Sequence, residues 1–400
     1  MKIPWSQFAI SARSVDYADE LTHGLYRYPA GLPPLLVRTL IHAFTKPGES
    51  VLDPFCGGGT TAIESIAHGR YSINSDLNSL ACFVTQARAW PLGRNSFRAY
   101  LRWLRDAKTV LSFSSSVEAV PLVVSDLYRY APSTHGILLV LRDSARQLKD
   151  AGARRFALLT VLRLGKLAFD CRKNPPNPRL LANSLDAIGA TYSERMESYS
   201  RICRNRWSQH TRGRARLKVF CTDSLGLHHR LGDLADNVTL VLTSPPYPRV
   251  HMLYHRWQVY GRRETSLPYS LLQLNDGMRA SGYTMGSRHK AADGPYFRSI
   301  EAVYRGLGRV LSGNVIVAQI LAFAEPKVQL PLFCEAMERA GFVELLPRAG
   351  TRDRISRAVP HRRWYAYLAG TTPSTQEFLF IHRLDSRSRS ATVNEWTGKH

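Results

Sequence analysis

Neither a C-x-x-C pair nor an H-E-x-x-H stretch occurs in these 400 residues, and the six cysteines, Cys56, Cys82, Cys171, Cys203, Cys221 and Cys334, are scattered. Structural zinc sites and disulfide frameworks need close pairing, so the expectation is no metal and a reducing compartment. His228 and His229 read as a polar helix surface, not as a ligand pair. Long apolar runs are missing as well. Nothing approaches the roughly 20 residues that span a bilayer, and Met1 to Ile10 holds no apolar stretch long enough for export. No internal repeat or coiled-coil heptad is present. Acids are scarce: 31 Asp and Glu stand against 54 Lys and Arg, a formal net charge of +23 at pH 7.

A balance this basic attracts polyanions and makes association steeply salt-dependent, so nucleic acid is the natural partner. The charge is also clustered. Arg201, Arg204, Arg206, Arg212, Arg214, Arg216 and Lys218 follow one another with no acid between them and Trp207 among them. A second stretch, from His251 through Trp257 to Arg263, interleaves Arg256, Arg262 and Arg263 with Tyr254, Trp257 and Tyr260. Both are candidates for phosphate contact. For Tyr254 and Trp257 a helix packing face is an equal alternative.

Two motifs carry chemistry. In the first, Val51 and Leu52 end a strand, Asp53-Pro54-Phe55-Cys56-Gly57-Gly58-Gly59 forms a glycine turn, and Thr60 starts a helix whose apolar face is Ala62, Ile63, Ile66 and Ala67. Glycines admit close backbone approach to a ligand, and the helix start offers unpaired N–H groups. Asp76, closing the next apolar stretch from Tyr71, is placed to accept from ribose hydroxyls. In the second, the β-branched run Val238–Leu242 is stopped by Thr243-Ser244-Pro245-Pro246-Tyr247, since the two prolines remove donors and fix φ. A rigid loop at a strand end then holds a hydroxyl, a carbonyl and an aromatic ring together, a set suited to an extruded nucleobase.

With these residues the chain resembles the S-adenosylmethionine-dependent DNA amino-methyltransferases that carry S-P-P-Y. The likeness covers roughly residues 22–90 and 217–382. It implies that Tyr28 and Pro29, in Tyr26-Arg27-Tyr28-Pro29-Ala30, belong to the segment for the cofactor carboxylate. Asp53, Phe55, Gly57, Gly59, Thr60, Asp76 and Asp223 are the remaining cofactor residues, Asp223 receiving the adenine amino group. Asp53 has the alternative of capping the glycine turn, and Asp223 that of capping a helix over 224–230. Ser244, Pro245, Pro246 and Tyr247 are the catalytic set. Within the family, Ser in the first loop position goes with cytosine N4, and Asp or Asn with adenine N6. Methylation at cytosine C5 is rejected because it uses a cysteine nucleophile from a Pro-Cys loop, and no Pro-Cys dipeptide exists here.

The expected fold is α/β: a doubly wound, mostly parallel, seven-stranded Rossmann-like methyltransferase sheet with a helical insertion. Residues 1–90 and 217–383 are assigned to the catalytic domain, 91–216 to a basic helical insertion in contact with DNA, and 384–400 to a disordered tail. Strands are expected at 219–223, 314–318, 341–343 and 377–381 beside the three already named at Val51-Leu52, from Tyr71 and at Val238–Leu242, with helices at 297–311 and 328–340. The expected function is site-specific methylation of cytosine N4 in double-stranded DNA. The setting is restriction-modification or phage defence, in the cytoplasm and on the nucleoid, with a cognate restriction endonuclease encoded separately. The alternatives are an adenine-N6 DNA or RNA methyltransferase, and a catalytically idle DNA-binding protein of the same fold.

Overall fold

The computed structural model describes residues 3–14, 20–26, 31–113, 132–174, 176–207, 216–249, 256–259, 263–275, 285, 290–347, 353–358 and 376–385. The first half of the chain forms α1 (Trp5–Arg13), α2 (Pro34–Phe44), β1 (Ser50–Asp53), α3 (Thr60–Ala67), β2 (Tyr71–Asp76) and α4 (Ser79–Ala89). Four long helices follow, α5 (Arg94–Phe113), α6 (Pro132–Arg146), α7 (Ala151–Phe169) and α8 (Pro178–Trp207). Then come β3 (Leu217–Cys221), the single-turn α9 (His228–Leu231), β4 (Val238–Thr243), β5 (Trp257–Val259), β6 (Arg263–Thr265) and α10 (Leu267–Leu272). The last elements are α11 (Asp293–Val310), β7 (Ile316–Ala322), α12 (Pro326–Arg339), β8 (Phe342–Glu344), β9 (Ser356–Ala358) and β10 (Gln376–Leu384).

The main sheet runs β3-β2-β1-β4-β7-β10-β8, with β9 added on β10. Strands β3, β2, β1, β4 and β7 are parallel, and β10 is antiparallel to β7, β8 and β9. The chain steps outward from β1 to β3 and then crosses β1 to lay down β4 and β7. That reversal opens a crevice at the carboxyl ends of β1 and β4, where ligands of such sheets bind. This is a doubly wound, mostly parallel, Rossmann-like sheet. The seven expected strands lie along its path; the three-residue β9 makes an eighth, and β5 with β6 forms a separate two-stranded ribbon.

Alternation decides which side chains meet which layer. Val51, Leu240, Leu242, Ile316 and Ala318 pack with α1 and α2, while Leu52, Val241, Val317 and Leu321 pack with α11 and α12. Helices α5–α8 share one core with α3 and α4. Tyr199 Oη donates to Ala89 O at 2.9 Å, and Trp207 Nε1 donates to Ile66 O at 2.8 Å. The Trp207 ring meets Tyr71 edge-on at 5.2 Å. An indole buries roughly 150–250 Å², about 4–6 kcal/mol at 25 cal/mol/Å². Trp207 therefore ties the helical layer to the sheet and is not exposed for DNA.

Two local expectations are corrected. In place of a continuous helix over 224–230 there is a 3₁₀ turn at Ser224–Gly226 and then α9, which ends where Gly232 takes φ +47. Trp257 lies on a strand, not on a helix face. It is fully buried against Gly165 of α7, where an added Cβ would come within 2.9 Å of its ring. Residues 251–255 and the 386–400 part of the tail lie outside the described residues.

Candidate active site

The turn after β1 is held from several sides. Cys56 N donates to Ser75 O at 2.9 Å and Gly59 N to Cys56 O at 2.7 Å. Gly59 sits at φ +79, and a Cβ there would lie 2.7 Å from Thr85 Oγ1, so this position requires glycine before α3 can begin. Gly57 N donates to Asp76 Oδ2 at 2.9 Å, and Asn78 N to Asp76 Oδ1 at 2.9 Å. From behind, the buried Arg88 donates to Gly58 O, to His23 O at 2.6 Å and to Thr22 O at 3.2 Å. Burial lowers its guanidinium to about 10, which leaves it charged at neutral pH.

A buried acid anchors the same region. Glu64 of α3 lies 2.8 Å from His23 Nε2 and 3.3 Å from His68 Nε2, and accepts from Arg38 Nε at 3.0 Å. Burial opposes its ionisation, but the hydrogen bonds from His23, His68 and Arg38 prevail and hold its carboxyl well below the usual range. Residues 20–26 are thereby fastened to α2, α3 and α4.

The loop after β4 reaches the glycine turn directly. Thr243 Oγ1 donates to Asp53 Oδ1 at 2.5 Å, and the same carboxylate oxygen accepts from Phe55 N at 3.1 Å. Asp53 thus caps its own turn while joining segments 190 positions apart. Beyond it, Ser244 Oγ donates to Tyr247 Oη at 3.2 Å and Tyr247 Oη to Glu377 Oε1 at 2.8 Å. Arg357 Nε donates to the other Glu377 oxygen at 2.6 Å. Pro246 O accepts from Tyr296 Oη at 2.7 Å. Arg249, at φ +58, clamps the loop exit through Asp293 and Glu325, with Nε 2.8 Å from Asp293 Oδ1 and Nη1 2.9 Å from Glu325 Oε1.

Both loops line one cavity that is open to solvent. Its wall includes Gly31 and Leu32, Asp53 and Phe55–Gly58, Thr60, Asp76–Asn78, Asp223 and Ser224, and all of Ser244–Tyr247. Burial raises Asp53 and Asp76 to about 6 each; hydrogen bonds from Thr243, Thr61 and Phe55 temper the rise at Asp53. Burial, and then the Glu377 charge, push the Tyr247 phenol well up, so it keeps its proton. Asp223 Oδ1 accepts from Leu225 N at 3.0 Å, so it caps the 3₁₀ turn and borders the cavity at once.

Of the residues expected at the cofactor, Asp53, Phe55, Gly57, Thr60, Asp76 and Asp223 line this cavity. Gly59 faces Thr85 instead, and Tyr28 and Pro29 lie outside the described residues. The arginines are elsewhere. Tyr71 and Leu217 open β2 and β3, so the end of α8 meets the amino ends of the strands. Arg201, Arg204 and Arg206 are exposed there, and the Arg216 guanidinium lies over the Trp207 ring at 4.7 Å. With six residues in β2 at about 3.3 Å each, that cluster is some 17 Å of strand from the cavity. Arg212, Arg214 and Arg262 fall outside the described residues, as does the Arg263 side chain, and Arg256 precedes the buried Trp257.

Sequence reasoning missed Glu377, Arg357, Tyr296 and Arg88. The register pairs Arg357 of β9 with Glu377 of β10, a cross-strand ion pair that only the fold reveals. Among the described residues no group of three His, Cys, Asp or Glu side chains suits a metal ion, and no helix is long and apolar enough to cross a membrane.

Residues 8–86 match the N6/N4 methyltransferase family model, DNA methylase. Type II methyltransferase M.MvaI of Kocuria varians is 36% identical over 76 residues, 18% of this chain and 17% of that protein. DNA adenine methyltransferase YhdJ of Escherichia coli K12 is 42% identical over 52 residues, 13% of this chain and 18% of that protein. The chain thus spans under a fifth of the length of these curated relatives. Among solved structures, TrmN from Thermus thermophilus aligns with a TM-score of 0.32 at 13% identity, covering 89% of this chain and 50% of that one. Across the glycine turn and the strands and helices around it, this protein is similar to the DNA amino-methylases.

Proposed function

We propose that the protein transfers a methyl group from S-adenosylmethionine to an exocyclic amine of double-stranded DNA, and that the amine is N4 of cytosine. The observation carrying this reading is the shared cavity, in which the glycine turn and the Ser-Pro-Pro-Tyr loop are joined through Asp53 and Thr243. The residues present fit the cofactor. Asp76, fixed by two backbone donors, retains lone pairs that would hold a ribose diol, Asp223 and Ser224 would receive the adenine, and Phe55 and Leu77 would supply apolar walls. When bound, S-adenosylmethionine supplies an electrophilic methyl group.

The chain's own task is to make an amine nucleophilic. The nitrogen lone pair is delocalised into the base and becomes available only as the nitrogen pyramidalises. Ser244 Oγ and Pro245 O border the cavity as acceptors for the two amine hydrogens, which localises that lone pair. Tyr247 supplies a ring beside them; stacking on a base is worth about 1–3 kcal/mol, comparable to the cost of extruding it. Alignment of the reacting atoms can then remove roughly 7–11 kcal/mol of barrier.

Purified protein, labelled S-adenosylmethionine and unmethylated genomic DNA, followed by nucleoside analysis, test this reading. N4-methylcytosine is expected, and Ser244→Ala should slow its formation about 10²–10³-fold, as loss of one preorganised group does elsewhere. Methyl found only as N6-methyladenine would move the target to adenine, the second reading, favoured by the similarity to an adenine methyltransferase. Label in structured RNA and not in duplex DNA would overturn the DNA assignment. A Type II methyltransferase among the relatives supports a restriction-modification setting.

A further inference from the structure

Glu377 and Arg357 belong to neither motif, yet they end a hydrogen-bond chain that begins at Ser244. Arg357 faces Glu377 across paired strands β9 and β10, 2.6 Å from Oε2, and the Glu377 side chain is 4% exposed. A guanidinium only donates and a carboxylate only accepts. Glu377 Oε1 therefore takes the Tyr247 proton at 2.8 Å, which leaves Tyr247 Oη free to take the single Ser244 proton at 3.2 Å. Each link has one direction, and the direction originates at Arg357.

We infer that the Arg357–Glu377 pair sets the polarity of the Ser244 hydroxyl, so that the cavity meets a lone pair there and selects a base edge carrying an amine over one carrying a carbonyl. This rests on the methyl-transfer reading and adds a specificity determinant to it. Glu377 and Arg357 are positioning residues, since they act through Tyr247 and Ser244. A serine hydroxyl left to rotate would accept from an amine or donate to a carbonyl equally well; cytosine carries the amine at ring position 4 and uracil the carbonyl, and because their N3 atoms differ too, the change in preference between wild type and variants is what reports Ser244. Committing its proton inward removes the second option. Glu377→Gln makes the idea sharp: its amide oxygen turns to Arg357 and its NH₂ to Tyr247, which then donates to Ser244. The Ser244 proton then points into the cavity.

The test is equilibrium binding, with no cofactor present, to two duplexes of the sequence that the wild-type protein methylates. They differ only in cytosine or uracil at the target position, each opposite an abasic site so that neither base is paired. The wild-type protein is expected to favour cytosine about tenfold or more, the size of one mismatched buried hydrogen bond. Glu377→Gln, which turns the Ser244 proton outward, should shrink that preference most, and Tyr247→Phe, which keeps the ring and cuts the chain, should shrink it to an intermediate value, with Pro245 O remaining an acceptor in both. Thermal melting checks each fold; if Glu377→Gln does not fold, Tyr247→Phe decides. A wild-type cytosine preference that persists unchanged in the folded variants overturns the inference. So does a wild-type protein that methylates DNA yet binds both duplexes equally. A wild-type protein that labels no DNA overturns the functional reading itself.

Discussion

Replacing Gly59 with alanine should destabilise the protein by about 2–5 kcal/mol. Two costs add. A non-glycine residue held in the left-handed region loses about 1–2 kcal/mol, and Gly59 lies at φ +79. Its new Cβ would stand 2.7 Å from Thr85 Oγ1, 2.9 Å from Thr85 Cγ2 and 3.0 Å from Thr85 Cα. Overpacking of this kind costs about 1–3 kcal/mol. Thr85 has little room to yield, because it is buried and its hydroxyl donates to Gly57 O at 3.1 Å. Thr85→Ala removes the clashes with the threonine side chain and leaves the φ cost and the close approach to the α4 backbone. A double-mutant cycle by urea denaturation, with coincidence of two spectroscopic probes checked, should therefore show a favourable coupling of about 1–3 kcal/mol. Two results would refute the reasoning: Gly59→Ala within about 0.5 kcal/mol of the parent, or its full cost surviving in the Thr85→Ala background.

Two further outcomes follow from buried acids. Asp53 and Asp76, raised to about 6, are ionised at pH 8 and protonated at pH 5; as acids with raised folded-state values they cost folding stability above pH 6 and cease to do so below about 4. A cationic ligand with a ribose diol needs their carboxylates, so calorimetric affinity for S-adenosylmethionine should fall as pH drops through 6, and a flat profile between 5 and 8 would contradict this. Glu64→Gln removes the charge facing His23, His68 and the partly exposed Arg38, a loss of about 3 kcal/mol at pH 7. Because the Glu64 carboxyl is held low, its stabilisation is present above the usual carboxylate range of about 4 and fades as pH falls. The stability gap between parent and variant in denaturant should narrow from pH 6 towards 3, and a constant gap would count against the cluster.

Local patterns revealed what local forces build. The runs Val51-Leu52 and Val238–Leu242 are strands because β-branched and aliphatic residues suit a sheet covered on both faces. The glycine turn and the proline loop announced themselves because each needs residues that few other structures tolerate. Glu377 was not legible: it is an ordinary acid opening an apolar strand, and its meaning depends on β10 lying antiparallel beside β7 with Arg357 opposite. Trp207 misled for a related reason, and at Trp257 the packing alternative prevailed, on a strand in place of a helix. An indole suits a nucleobase or a protein interior equally well, and here both rings are buried. The arginine run was visible as charge, but charge in a sequence has no direction, and only the docking of α8 onto Tyr71 puts it at the far ends of the strands.

Strand β10 is wedged between β7 and β8, although it is made after both. On the ribosome, β7 is complete more than 50 residues before its partner emerges, and its seven residues are all of a kind that ends up buried. For that interval the nascent protein carries an unpaired, greasy border, the sort of edge on which other chains add strands. Synthesis of β10 is thus the step that seals the sheet, and a product stopped before Gln376 would leave β7 as an open edge.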